Sequence, residues 1–159
     1  MIVRCKHKSR KALHDYFGVE YRDALFRLDI RPISDWDSLE LGREYLVMGV
    51  FNGSDGLDFL IDFDDFPIAY SALHFEVIDN QIPSTWLFQA HVNPVNGQFE
   101  VKSRLGYREF ALDEDHYVRL VERNRPDVEI YLQRLRETKE ALGLVSDTDD
   151  EYPPSTWLP

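Results

Sequence analysis

The strictest alternation of apolar and polar residues in the chain runs through 57–64. Leu57, Phe59, Ile61 and Phe63 fall on one parity; Asp58, Asp62 and Asp64 fall on the other, with Leu60 among them. A period of two sends successive side chains to opposite faces of an extended strand, so this stretch predicts a strand at 57–63 with Phe59, Ile61 and Phe63 turned inward. Just before it, 44–51 is apolar on both parities, the pattern of a strand covered on both faces. Between them, Asn52-Gly53-Ser54-Asp55-Gly56 offers turn formers and two glycines able to take positive φ, which predicts a hairpin. Pro67, with no N–H for a ladder, reads as closing the return strand. Ser71-Ala72 predicts a tight turn before a further strand at 74–78.

The flanks are less regular. Ser9 predicts the N-cap of a short helix to residue 17, stopped by Gly18. Alternation returns at 24–30, broken only by Leu25, and predicts a half-buried strand ended by Pro32. Trp36, in a turn-rich loop, is expected to cap the rim of a core. Further on, 86–92 predicts a strand. Asn93-Pro94-Val95-Asn96-Gly97 is a second hairpin signal with a return at 98–101, and 107–112 reads as a short edge strand. The period then changes: Tyr117, Leu120 and Val121 share a helical face behind Asp113 as N-cap. Asn124-Arg125-Pro126 interrupts that helix, and Pro126 suits the first turn of a second, ending near Gly143. The expected fold is α+β, a strongly bent antiparallel sheet or SH3-like barrel with C-terminal helices. Residues 1–143 form one domain, with 41–101 as barrel core and 113–143 as helices, followed by a flexible acidic tail at 144–159.

Three segments carry a resemblance: Gly42-Arg43-Glu44-Tyr45-Leu46-Val47; Leu60-Ile61-Asp62; and Pro67-Ile68-Ala69-Tyr70-Ser71-Ala72-Leu73-His74-Phe75-Glu76-Val77-Ile78-Asp79. Together they resemble small bacterial SH3-like barrel proteins, among them immunity proteins of toxin systems. Arg43 stands where that pattern has Lys, and Ser71 where it has Pro. The resemblance covers residues 41–79 and implies fold more directly than function.

Charge changes the picture more than composition does. Residues 44–101 contain no Lys and no Arg but nine acids: Glu44, Asp55, Asp58, Asp62, Asp64, Asp65, Glu76, Asp79 and Glu100. The whole chain of 159 residues carries a net −11, so this span holds most of the excess. Such a charge disfavours non-specific contact with nucleic acid or anionic membrane. No apolar run reaches the ~20 residues of a membrane span, and no apolar segment follows the basic start as in a secretory signal. The single cysteine, Cys5, fits a reducing cytoplasm and reads as a small buried apolar residue.

The acids on the 57–64 strand are the leading candidate site. Asp55, Asp58, Asp62, Asp64 and Asp65, with Tyr70, are expected to meet Lys and Arg of a basic protein partner. The competing readings are a solvated edge-protecting face and a Mg²⁺ or Ca²⁺ site, though the spacing matches no EF-hand loop. No catalytic residue, metal or cofactor is expected. His7, His14, His74, His91 and His116 show no i, i+4 pair for zinc, and no serine sits in a G-x-S-x-G turn. The functional expectation is an acidic protein-binding module, an immunity protein or antitoxin masking a basic toxin such as a nuclease. The alternatives are a small hydrolase using His74 or His91 with an aspartate, and a structural or oligomerising protein of a phage or secretion system. Pro83-Ser84-Thr85-Trp86-Leu87 recurs as Pro154-Ser155-Thr156-Trp157-Leu158, which raises the prospect that the tail tryptophan docks like its internal copy.

Overall fold

A computed structural model describes residues 1–8, 12, 39–53, 56–95 and 98–144. The helix expected at 9–17, the strand at 24–30, Trp36, Asp55 and the tail copy of the PSTWL sequence lie outside these residues. Seven strands are described: β1 Ile2–Cys5, β2 Glu44–Gly53, β3 Gly56–Phe63, β4 Phe66–Ser71, β5 Phe75–Asp79, β6 Leu87–Val95 and β7 Gln98–Gly106. Three helices follow: α1 Arg108–Leu112, α2 His116–Val121 and α3 Arg125–Ala141. The chain is therefore α+β, and among the described residues every strand pairing is antiparallel.

Strand β2 organises the sheet. Its first half pairs with β1 and its second half with β7, while β3 runs along its other side. The changeover falls at Met48, where the register with β3 shifts between Val47 and Gly49. One inserted residue reverses the parity of everything after it and bends the strand. Tyr45, Val47 and Val50 consequently face one core, and Leu46, Met48 and Phe51 face another. This is why β2 is apolar on both parities: it is covered on both sides. The path runs β4-β3-β2-β1-β5, with the β6–β7 hairpin joined to β2 through β7. Among the described residues the outer strands do not meet, so the sheet is bent but open and does not close into a barrel.

One core gathers Val3, Cys5, Tyr45, Val47, Phe59, Ile61, Tyr70 and Trp86. The expected inward residues of 57–63 are there, with Phe63 half-buried at its margin. The other core packs Met48 and Leu60 under Tyr107, Phe110, Leu120, Val128, Tyr131 and Leu135. Pro126 sits in the first turn of α3, and Gly143 follows its end at φ 67°, as the sequence led one to expect. The internal PSTWL copy is a turn, closed by the Trp86 N–H on the Pro83 carbonyl, with Trp86 buried.

Several expectations are corrected. Residues 107–112 are not an edge strand; α1 occupies them and turns Phe110 into the helix-side core. Pro67 does not close a strand but lies inside β4, opposite Asp62 on an edge where a missing N–H breaks no ladder bond. The turn before it is Asp64-Asp65, both at positive φ (49° and 67°), a mirror-image turn that carries neither Gly nor Asn. Asp113 does not cap α2; the helix starts at His116, and Asp113 accepts the Asp115 N–H one turn earlier. The sheet also holds a strand that the sequence pattern did not predict: β1 lies between β2 and β5, with Val3 and Cys5 buried and Arg4 between them on the opposite face.

Phe110 fits the sheet through two glycines. A Cβ on Gly49 would stand 2.5 Å from its ring and one on Gly106 2.8 Å, closer than carbon atoms approach. Gly49→Ala is therefore expected to cost about 1–3 kcal/mol, the usual range for overpacking a rigid core. A denaturant melt showing no loss would mean that Phe110 does not occupy this notch.

Candidate functional site

The cations missing from 44–101 are supplied by the rest of the chain. Arg4 reaches Glu44 at 2.8 Å and Glu76 at 3.6 Å, and Lys6 approaches Glu76 at 3.7 Å. Arg43 holds Glu40 at 2.9 Å and Asp64 at 2.5 Å, with its guanidinium over the rings of Tyr45 and Phe63. Lys139, from the last turn of α3, lies 3.8 Å from Asp62 and 3.6 Å from Asp65. The charge separation along the sequence thus becomes pairing in the fold. β1 brings the basic start against acids of β2 and β5, and α3 brings its end against the β3–β4 turn.

The candidate acids do not share one open face. Asp58 and Asp62 lie on the face of β3 that also carries Leu60, which is the face the helices cover. Asp62 is only 10% exposed and accepts a hydrogen bond of 3.1 Å from the hydroxyl of Tyr131, itself fully buried in α3. Burial pushes the Asp62 carboxyl up to about 6; Lys139 and the Tyr131 bond oppose this, while Asp65 and Asp64 add to it. Asp64, at the turn, is 67% exposed, and Asp65 beside it is half-buried. Asp58 is half-buried, opposite Phe51 on β2 and Ser71 on β4. Tyr70 is 2% exposed and belongs to the first core, against His74 and Phe75. Of the candidates, the structure brings Asp62, Asp64 and Asp65 together around the β3–β4 turn, with Lys139 beside Asp62 and Asp65 and Arg43 on Asp64.

His74 and His91 are not brought together. His74 is buried in the 3₁₀ turn before β5, its Nδ1 donating to the carbonyl of His7 at 2.5 Å. His91 sits on β6 with Nε2 3.5 Å from a carboxylate oxygen of Glu114. Among the described residues no group of three or more His, Cys, Asp or Glu is placed to hold a metal ion. No helix among them is long and apolar enough to cross a membrane. Burial raises the Cys5 thiol above its ordinary range, which makes it a poor thiolate.

One polar constellation escaped the sequence reading. The Tyr107 hydroxyl stands 2.9 Å from His116 Nε2, and His116 Nδ1 donates to Asp127 Oδ1 at 2.6 Å. Asp127 also accepts from Arg119, Nε to Oδ2 at 2.9 Å, and Arg119 reaches on to Asp113 at 2.6 Å. The Arg119 bond, helped by that of His116 and opposed by burial, holds the Asp127 carboxyl below the usual carboxylate range. Burial lifts the Tyr107 phenol well above its own. The order Tyr–His–Asp looks like a catalytic relay, but His116 is 1% exposed and packed among protein groups on both sides. It joins the start of α1, α2 and the first turn of α3, which is a structural role. In the sequence His116 stands in an acidic run, and its partners come from positions 107, 119 and 127, a spacing that no motif marks.

No family model, curated protein or solved structure matches this chain.

Proposed function

We propose that the chain is a non-catalytic protein-binding module whose partner is basic, in its most specific form an immunity protein or antitoxin masking a toxin such as a nuclease, in a bacterial cytoplasm. The resemblance of residues 41–79 to small bacterial SH3-like barrel proteins, immunity proteins among them, supports this as a likeness of sequence motif. The observation that carries the reading is the Asp64-Asp65 turn. Two non-glycine residues are held at positive φ, where glycine or asparagine would cost less, and they present carboxylates at the tip of the β3–β4 hairpin. Strain of this kind persists where the surface is used. The Lys139 contacts at 3.6 and 3.8 Å are long for hydrogen-bonded ion pairs, so a partner guanidinium can replace them with shorter, bidentate bonds.

The test uses the product of the neighbouring gene as the partner. The expected result is a basic toxin whose effect on cells is relieved by co-expression of this chain, with binding that weakens steeply as salt rises. Asp64→Asn combined with Asp65→Asn is expected to slow association and lower affinity at least tenfold, with folding intact. A neighbouring product that neither harms cells nor binds sinks the immunity reading. Binding unchanged in rate, affinity and salt slope by the double substitution removes the turn from the interface.

A further inference from the structure

The described sheet has three outer strands, and they are not alike. β4 is six residues long and carries Pro67, which removes a donor from its outer edge. β5 is five residues long, has a register shift against β1, and carries Glu76 and Asp79. Short length, proline, irregular register and charge are the devices that stop an edge from recruiting another strand. β6 has almost none of them. It is nine residues long and, in a chain of net −11, contains no Lys, Arg, Asp or Glu. Its single device, Pro94, stands near the end. Among the described residues β6 pairs with β7 alone. Phe88 is 65% exposed and Val92 60%, with exposed Ala90 between them on the same face.

Which backbone groups face outward follows from the register. β6 meets β7 from Leu87 opposite Gly106 to Val95 opposite Gln98. In an antiparallel ladder N–H and C=O of one residue point to the same side, and alternate residues point to opposite sides. A proline in such a strand places its missing donor on the free edge. Pro94 therefore assigns the even parity to the outside: Phe88, Ala90 and Val92 offer their N–H and C=O groups outward.

We propose that two copies of this chain pair antiparallel through the outer edge of β6, about a two-fold axis at Ala90. In that register Phe88 of one copy lies opposite Val92 of the other, and Ala90 opposite Ala90. All three pairs are of the hydrogen-bonded kind, each exchanging two backbone bonds. The strand is self-complementary: an aromatic meets a β-branched residue on both sides of a small central one, a favourable cross-strand combination. The uncharged edge is also where two chains of net −11 can approach with least repulsion. Two-fold pairing of one patch with itself is the commonest route to a closed assembly. Because a single strand edge makes a small interface, the dimer is expected at the weak, concentration-dependent end of the range. The inference rests on β6 and uses none of the acids in the proposed partner site.

The experiment is sedimentation velocity on the full chain over a wide range of concentration, beside Val92→Lys, with circular dichroism as the check on folding. A monomer–dimer equilibrium is expected for the parent and a monomer for the folded variant. A second measurement fixes the register and stands if Val92→Lys fails to fold. Ala90→Cys, facing its own copy with Cα atoms about 5.5 Å apart, is expected to form a disulfide-linked dimer on mild oxidation; Phe88→Cys, facing position 92, is expected to do so far less. A parent that stays monomeric overturns the proposal, and an edge reserved for a foreign strand would give that result. So does a dimer that survives Val92→Lys, or cross-linking equal at both positions.

Discussion

Asp62→Asn is expected to stabilise the protein at neutral pH. In the unfolded chain this carboxyl releases its proton near the ordinary value of 3.8, whereas in the fold it holds it up to about 6. Between those values the folded state binds more protons, so stability falls as pH rises through the window and stays lower above it. At ~1.4 kcal/mol per pH unit the displacement corresponds to about 3 kcal/mol at most. Asparagine keeps an oxygen for the Tyr131 hydroxyl and removes the buried charge, while Lys139 retains Asp65. Denaturant melts at pH 7 should therefore show a gain of about 1–3 kcal/mol, shrinking towards zero near pH 4. A loss at pH 7 would mean that the bonds from Tyr131 and Lys139 outweigh the cost of burial.

The same residue shows how far the sequence could be read. Alternation at 57–64 correctly grouped Asp58 and Asp62 on one face of a strand. It could not say what covers that face, because Tyr131 is 69 positions away in the chain. The β2–β3 hairpin was legible because its strands are long and apolar and its turn is rich in glycine. The β3–β4 hairpin was not, because Asp64-Asp65 lacks the Gly or Asn that marks a mirror-image turn most strongly and Pro67 reads as a strand breaker. β1 was hidden by its length of four residues and by the bases beside it. α1 spans five residues, too few for a period of 3.6 to be told from one of two. The acidic bias of 44–101 was visible, but its meaning needed the fold: Arg4, Lys6, Arg43 and Lys139 lie outside the segment and meet it only in three dimensions. Burial of Asp62 and Tyr70, against the exposure of Asp64, narrows the candidate site from a whole strand face to the turn at Asp64 and Asp65.

The largest loss is expected from Asp127→Ala. The substitution leaves His116 Nδ1–H without its acceptor in a site where the imidazole is 1% exposed. It also removes both oxygens that hold Arg119 against the start of α3. Leaving a buried donor without its acceptor typically costs about 1–3 kcal/mol, and the loss of the charge-assisted bonds to Arg119 adds to it. The effect should be non-additive with His116→Ala: once the imidazole is gone, Asp127→Ala costs much less, and the difference in a double-mutant cycle measures their coupling. The pH dependence runs opposite to that of Asp62. Asp127 has a folded pKa below its unfolded value, so its contribution is fully present above about pH 4 and is lost as pH falls through the folded value. Acid unfolding of the parent should therefore steepen below about pH 4, and Asp127→Ala should flatten that limb while lowering stability at neutral pH. An additive cycle, or a loss at pH 7 below about 1 kcal/mol, would show that the helices are held to the sheet by their apolar contacts alone, with the Tyr107–His116–Asp127 chain contributing nothing to their docking.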